Sequence, residues 1–277
     1  LELRSDFKIH ANNIARYRYR ENLADKLILE EPIKKLVNVL TRDSDFAVED
    51  VMENKGGGVI LCLMGPPGTG KTLTAEVVAE NVKKPLYKIS CAELGSEPNE
   101  IEENIGKALK RAADWKAVLL LDEADVFVQK RGSDLHKNSV IASMLRQIEY
   151  YSGILFLTTN RVDDIDEAIL SRCTAVITYK SPTADEAQQL WRLYGDMHGL
   201  LVDGLGEGAV PWSSNKRAEF VAKMADRYPR ISGRTIHHVL GLVARMKNAE
   251  QKTSITSADV AFAMRFAPLT KEEDSNG

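Results

Sequence analysis

Apolar positions along the chain follow two regimes, and the change comes near residue 181. Before it, short unbroken apolar runs alternate with stretches in which apolar residues recur every three or four positions; after it, only the second pattern persists. Runs of strand length occupy 59–64, 85–90, 117–121, 153–159 and 175–179. Those at 59–64, 117–121 and 153–157 have almost no polar interruption, as expected of strands covered on both faces. Helical spacing marks 72–82 (Leu73, Val77, Val78, Val82), 99–115 (Ile101, Ile105, Leu109, Ala112) and 137–151 (Val140, Ile141, Met144, Leu145, Ile148). A short helix is predicted over 163–172, ending in Arg172, and an earlier one within 23–40, entered near Glu31-Pro32. Five strands alternating with helices predict a three-layer α/β domain on a parallel sheet.

Lys180-Ser181-Pro182-Thr183 ends the alternation. Helices are predicted at 183–198 (Ala187, Leu190, Trp191, Tyr194), 215–227 (Phe220, Val221, Met224, Ala225) and 232–247 (Ile236, Val239, Leu240, Val243). A last one starts at Thr256, with Asp259 three residues on in capping-box spacing. The glycine-rich stretch 201–214 reads as loop. The expected division is a lead-in over 1–22, an α/β domain over 23–181, a small all-α domain over 182–268 and a disordered tail over 269–277.

Between the first apolar run and its helix stands Gly65-Pro66-Pro67-Gly68-Thr69-Gly70-Lys71-Thr72, which fits G-x-x-x-x-G-K-[ST]. A polyphosphate needs several backbone N–H donors converging on it, so glycines stand where side chains would obstruct. The helix that follows points its positive end at the phosphates. Lys71 supplies a mobile cation for the β and γ phosphates, and the Thr72 hydroxyl can ligate Mg²⁺. The candidate nucleotide contacts are Pro67, Gly68, Thr69, Gly70, Lys71, Thr72 and Leu73.

The third run leads straight into Asp122-Glu123-Ala124-Asp125. The carboxyl end of a buried strand is where α/β sheets place ligands. There Asp122 can hold the Mg²⁺ shell and Glu123 can polarise the water that attacks a γ-phosphate. Asn160, at the end of the fourth run, would sit beside Glu123 if the two strands are neighbours and could orient that water; an asparagine after a strand is also an ordinary turn residue.

Composition narrows the classes. At 277 residues, 44 % hydrophobic and 28 % charged, the chain can bury a proper core in one large and one smaller domain. A net charge of −3 gives no bulk attraction to nucleic acid or membrane, and no run approaches about 18 apolar residues. Arg16-Tyr17-Arg18-Tyr19-Arg20 could still touch a phosphate backbone locally, with a solvated or docking segment as the alternative. Cys62, Cys91 and Cys173 are odd in number and lack paired metal spacing, which points to a reducing intracellular compartment: cytoplasm first, with nucleus or organelle matrix open. The chain opens on Leu1 rather than Met, so a longer parent is expected.

Taken together these pieces resemble the AAA+ ATPases across about residues 20–268, and the wording of 122–127 and 149–161 is similar to a mostly fungal subgroup. The resemblance makes 65–72 the Walker A motif, 119–123 the Walker B motif, Asn160 sensor 1, Arg172 the arginine finger and Gly233-Arg234 sensor 2. It implies a P-loop NTPase domain followed by an all-α lid, ATP and Mg²⁺ as cofactors, and Arg234 sensing the γ-phosphate in cis. It also implies a ring, usually hexameric, that remodels a protein or nucleoprotein client. Alternatives are a nucleotide-gated assembly scaffold and a DNA-acting relative. For Arg172 and Arg234 the competing readings are arginines answering a helix end or solvated at one, and His237 and His238 read as surface and packing residues. The chain departs from the family twice: 91–99 has no aromatic residue where unfolding members carry a pore loop, and the Arg172 region has one arginine where many relatives have two.

Overall fold

A computed structural model describes residues 15–20, 23, 27–42, 57–95, 97–200, 214–252 and 255–269. The glycine-rich loop up to residue 213, the tail from 270 and most of the lead-in lie outside the described residues.

Contacts divide the chain into two compact units, one of 1–66 and 70–179, the other of 67–69 and 180–277. The first begins with α1 (Glu31–Arg42) and is built on five parallel strands in the order β2-β3-β4-β1-β5. They are β1 (Val59–Met64), β2 (Leu86–Ser90), β3 (Val118–Asp122), β4 (Ile154–Thr159) and β5 (Ala175–Thr178). The helices between them are α2 (Lys71–Asn81), α3 (Pro98–Asp114), α4 (Asp125–Val128), α5 (Leu135–Glu149) and α6 (Glu167–Leu170). Strands without polar interruption still alternate by face. Cys62, Leu119, Leu121, Leu155 and Leu157 pack with Ile105 of α3 and Met144 of α5, while Leu61, Leu63, Leu120 and Phe156 pack with Ala75 and Val78 of α2. Covering both faces makes the three layers and explains why β1, β3 and β4 look featureless in sequence.

Phe156 lies in a central strand and is fully buried. Phe156→Ala should therefore cost about 3–5 kcal/mol of stability, read as a lowered urea midpoint at unchanged slope; a midpoint within error of the parent would mean that this face is not a packed core.

The expected helix over 163–172 shrinks to α6, four residues long. Its first half is committed elsewhere: Lys130 N donates to Asp164 O, Asp166 N donates to Val128 O, and Gln129 bridges Ile165. Asp166 then caps α6 by accepting from Ala168 N at 2.9 Å. Neither α4 nor the 3-10 turn over Cys91–Leu94 is long enough to display a period, and periodicity misses both.

The second unit is helical: α7 (Ala184–Met197), α8 (Ser214–Arg227), α9 (Gly233–Ala249) and α10 (Ser257–Met264). Trp191, Met224, Ile236, Leu240 and Val260 meet in one core. Both α7 and α10 open with full capping boxes, Thr183 with Glu186 and Thr256 with Asp259. No helix among the described residues is long and apolar enough to cross a membrane.

Candidate active site

Parallel register brings the chemistry to one sheet edge. Met64 is level with Thr159 across β1 and β4, Leu121 with Leu157 across β3 and β4, and Ser90 with Asp122 across β2 and β3. The loop after β1 and the carboxylates after β3 therefore leave the sheet at the same end, on either side of β4.

The loop is shaped by backbone demands. Gly65 has φ 142°, and a Cβ there would lie 2.3 Å from the Tyr179 carbonyl oxygen, so both conformation and space require glycine. At Gly70 nothing would meet a Cβ within 4 Å; its φ of 101° alone makes the requirement, because the residue turns the chain into α2. Space is thus not the reason at this position. α2 starts without a side-chain cap or an acidic residue in its first turn, which leaves its amino end able to receive an anion.

Lys71 is buried, at 7 % exposure, and its ammonium donates to Gly65 O and Pro66 O at 2.7 Å each and to Asn160 Oδ1 at 3.1 Å. The cation is thus held under the loop it is expected to serve, and Asn160 points its amide oxygen at the lysine.

Thr72 Oγ1 donates to Asp122 Oδ1 at 3.0 Å, and Thr158 Oγ1 donates to the same oxygen. Lys88 Nζ takes the other, Oδ2, at 2.8 Å. Burial works to raise the Asp122 carboxyl, but donation from Lys88, Thr158 and Thr72 outweighs it and leaves the group below the ordinary carboxylate range. A hydroxyl and an ionised carboxylate side by side are hard oxygen donors of the kind Mg²⁺ selects, so the residues present fit that ion.

Glu123 follows in a left-handed conformation, φ 57°, with its side chain exposed. Its backbone N–H donates to Thr158 Oγ1 at 3.1 Å, and Ala124 N donates to Thr158 O at 2.7 Å. Two bonds to one threonine fix the turn that frees the carboxylate from the strand. Asp125 is engaged differently: it accepts from Thr159 Oγ1 and from Asn160 N, tying the end of β4 to the start of α4. Burial, and then the charges of Asp125, Asp122 and Glu123, push the Cys91 thiol up, so it stays protonated and inert.

Arg172 stands just past α6; it donates to Ala168 O at 3.1 Å and pairs with Glu149 at 3.3 Å, and its buried Nε has no acceptor. Arg234 is exposed in the first turn of α9, behind the Ser232 cap. His237 meets His198 at 3.2 Å and lies against Tyr194, in keeping with a packing residue, and His238 is exposed. In the lead-in, Tyr17 Oη and Arg20 N both donate to Glu80 of α2, while Arg16, Arg18 and Arg20 are exposed.

Sequence reasoning passed over Thr158, Thr159 and Lys88. The first two are polar residues nine-tenths or more buried at the end of an apolar strand, which was a usable signal. Lys88 is the exposed residue of an alternating strand, a position that gives no sequence signal of a role.

Residues 61–181 match the model of the ATPase family associated with various cellular activities. The chain is 27 % identical over 240 residues to the ATP-dependent zinc metalloprotease FtsH of Ureaplasma parvum, covering 82 % of this chain and 30 % of that one. It is 32 % identical over 144 residues to the human ATPase family gene 2 protein homolog B, covering 48 % of this chain and 19 % of that one. With the ATPase family AAA domain-containing protein 3A homolog of Drosophila melanogaster the identity is 27 % over 206 residues, covering 70 % and 33 %. The chain spans about a third or less of the length of these relatives. A parallel five-stranded sheet with a glycine-rich loop after β1 and carboxylates after β3, matched over 61–181 by that model, makes this part of the chain an AAA ATPase domain.

Proposed function

We propose that the chain hydrolyses ATP to ADP and phosphate with Mg²⁺, and that it couples turnover to movement of its helical unit within a ring, hexameric by analogy with the family, that remodels a protein or nucleoprotein client. One observation carries the hydrolytic part: Asp122 Oδ1 at the end of β3 accepts from Thr72 in the first turn of α2 and from Thr158 of β4, so three elements converge on one carboxylate. In this reading the loop amides of 67–73 cradle the phosphates and Lys71 leaves the Gly65 and Pro66 carbonyls for the β and γ oxygens. Thr72 and Asp122 would hold the metal, which would supply positive charge to neutralise that developing on the transferring phosphoryl group. Glu123, free of the strand, takes the proton of the attacking water, and Asn160 orients that water from the neighbouring strand. Arg172 of an adjacent subunit supplies the charge that phosphoryl transfer rewards with about 10³–10⁵ in rate. Arg234 answers the γ-phosphate from its own chain. Three free thiols suit a reducing intracellular compartment.

The first test is phosphate release from ATP by the purified chain, in Mg²⁺ and in EDTA, over a range of protein concentrations. Turnover per chain should rise with concentration as neighbours assemble, and should vanish in EDTA. Turnover that persists in EDTA would remove the metal from the scheme, and turnover independent of concentration would remove the neighbour's arginine.

A further inference from the structure

Lys88 stands where the proposed chemistry has no stated use for it. β2 is an edge strand in which Tyr87 and Ile89 are buried and Lys88 faces away from them. Ser90 is level with Asp122, so Lys88 lies two residues back on the same face, and its stem reaches forward to put the ammonium 2.8 Å from Oδ2. The other oxygen already receives Thr72 and Thr158. Both oxygens of the metal-holding carboxylate are therefore engaged, one by the hydroxyl that would share the metal and one by a fixed positive charge. A divalent cation and an ammonium cannot both be neutralised by one carboxylate. The Lys88 side chain is 47 % exposed and that of Asp122 15 %, so the lysine is the more solvated partner and loses less on leaving the pair. Glu76 of α2 lies within electrostatic reach of both groups and offers the displaced ammonium a second carboxylate.

We propose that Lys88 is a positioning residue that holds Asp122 as its counter-ion and competes with Mg²⁺ for that carboxylate, setting the magnesium concentration at which the nucleotide site fills. The inference rests on reading Thr72 and Asp122 as the metal's ligands. It makes the enzyme's response to magnesium a property of an edge strand, outside both nucleotide motifs.

The test is equilibrium binding of a fluorescent ADP analogue, titrated from EDTA through millimolar Mg²⁺ at fixed ionic strength. Lys88→Met keeps the stem and removes the charge; it should lower the magnesium midpoint about three- to tenfold, as expected for deleting one positive charge that competes for the same carboxylate in a half-solvated, screened site. Its affinity for the analogue in EDTA should change less than twofold, and Lys88→Arg should keep the parent's midpoint. Lys88→Gln, with melting curves for all variants, guards against a fold defect in the first. A midpoint that stays put or rises in both neutral variants overturns the proposal. So does a large loss of affinity in EDTA, which would make Lys88 a phosphate ligand. A parent that binds the analogue at no magnesium concentration overturns the nucleotide reading itself, whereas normal parent binding with an unmoved midpoint overturns the role of Lys88 alone.

Discussion

Replacing Lys71 with alanine should lower ATP affinity about 30- to 100-fold and reduce phosphate release to background. The ammonium is buried beneath the loop and donates to two loop carbonyls and to Asn160. In the proposed bound state those donations pass to phosphate oxygens, and a hydrogen bond between charged partners contributes about 1.5–3 kcal/mol. The variant also leaves Gly65 O, Pro66 O and Asn160 Oδ1 short of a donor, so part of any loss could be structural. Lys71→Met separates the two effects. It refills the stem's space and should melt closer to the parent than the alanine variant, yet bind ATP no better. Calorimetric titration with the non-hydrolysed ATP analogue AMP-PNP, beside melting curves, measures both. Parent-like affinity in either variant would show that the phosphates do not rest on Lys71.

The sequence showed the scaffold more fully than the contacts that tune the site. β1, β3 and β4 are apolar runs because helices cover both faces, and α3, α5, α7 and α9 begin and end within two residues of their periodic signal. Gly65 to Thr72 was legible because backbone geometry restricts which residues can stand there. What stayed hidden depends on register, which one strand's sequence does not carry. Thr158 becomes important only because β4 is paired with β3 so that Leu157 faces Leu121, which sets its hydroxyl on Asp122. Lys88 meets that carboxylate only because β2 takes the other side of β3. The expected helix at 163–172 failed for a related reason: the backbone of 164–166 bonds to 128–130, and local periodicity has no means of registering a non-local pairing.

Glu123→Gln should bind ATP as the parent does and turn it over about 10²- to 10⁴-fold more slowly, the range general-base removal produces. The substitution is nearly isosteric, and the left-handed backbone at this residue is held by bonds from Glu123 N and Ala124 N to Thr158, which an amide side chain leaves intact. Asp125, the next carboxylate along, cannot readily stand in, because it already accepts from Thr159 and Asn160 N. Arrested turnover then distinguishes how the energy is used. A remodelling enzyme held in its ATP state should assemble fully, measured by light scattering, yet do no work on a client. A nucleotide-gated scaffold should be locked in its working state, so the variant would equal or exceed the parent. Turnover at the parent's rate would exclude Glu123 as the base and shift the search to a residue supplied by the neighbouring subunit, since both carboxylates flanking Glu123 in the Asp-Glu-Ala-Asp turn are committed to hydroxyl, amide or lysine donors.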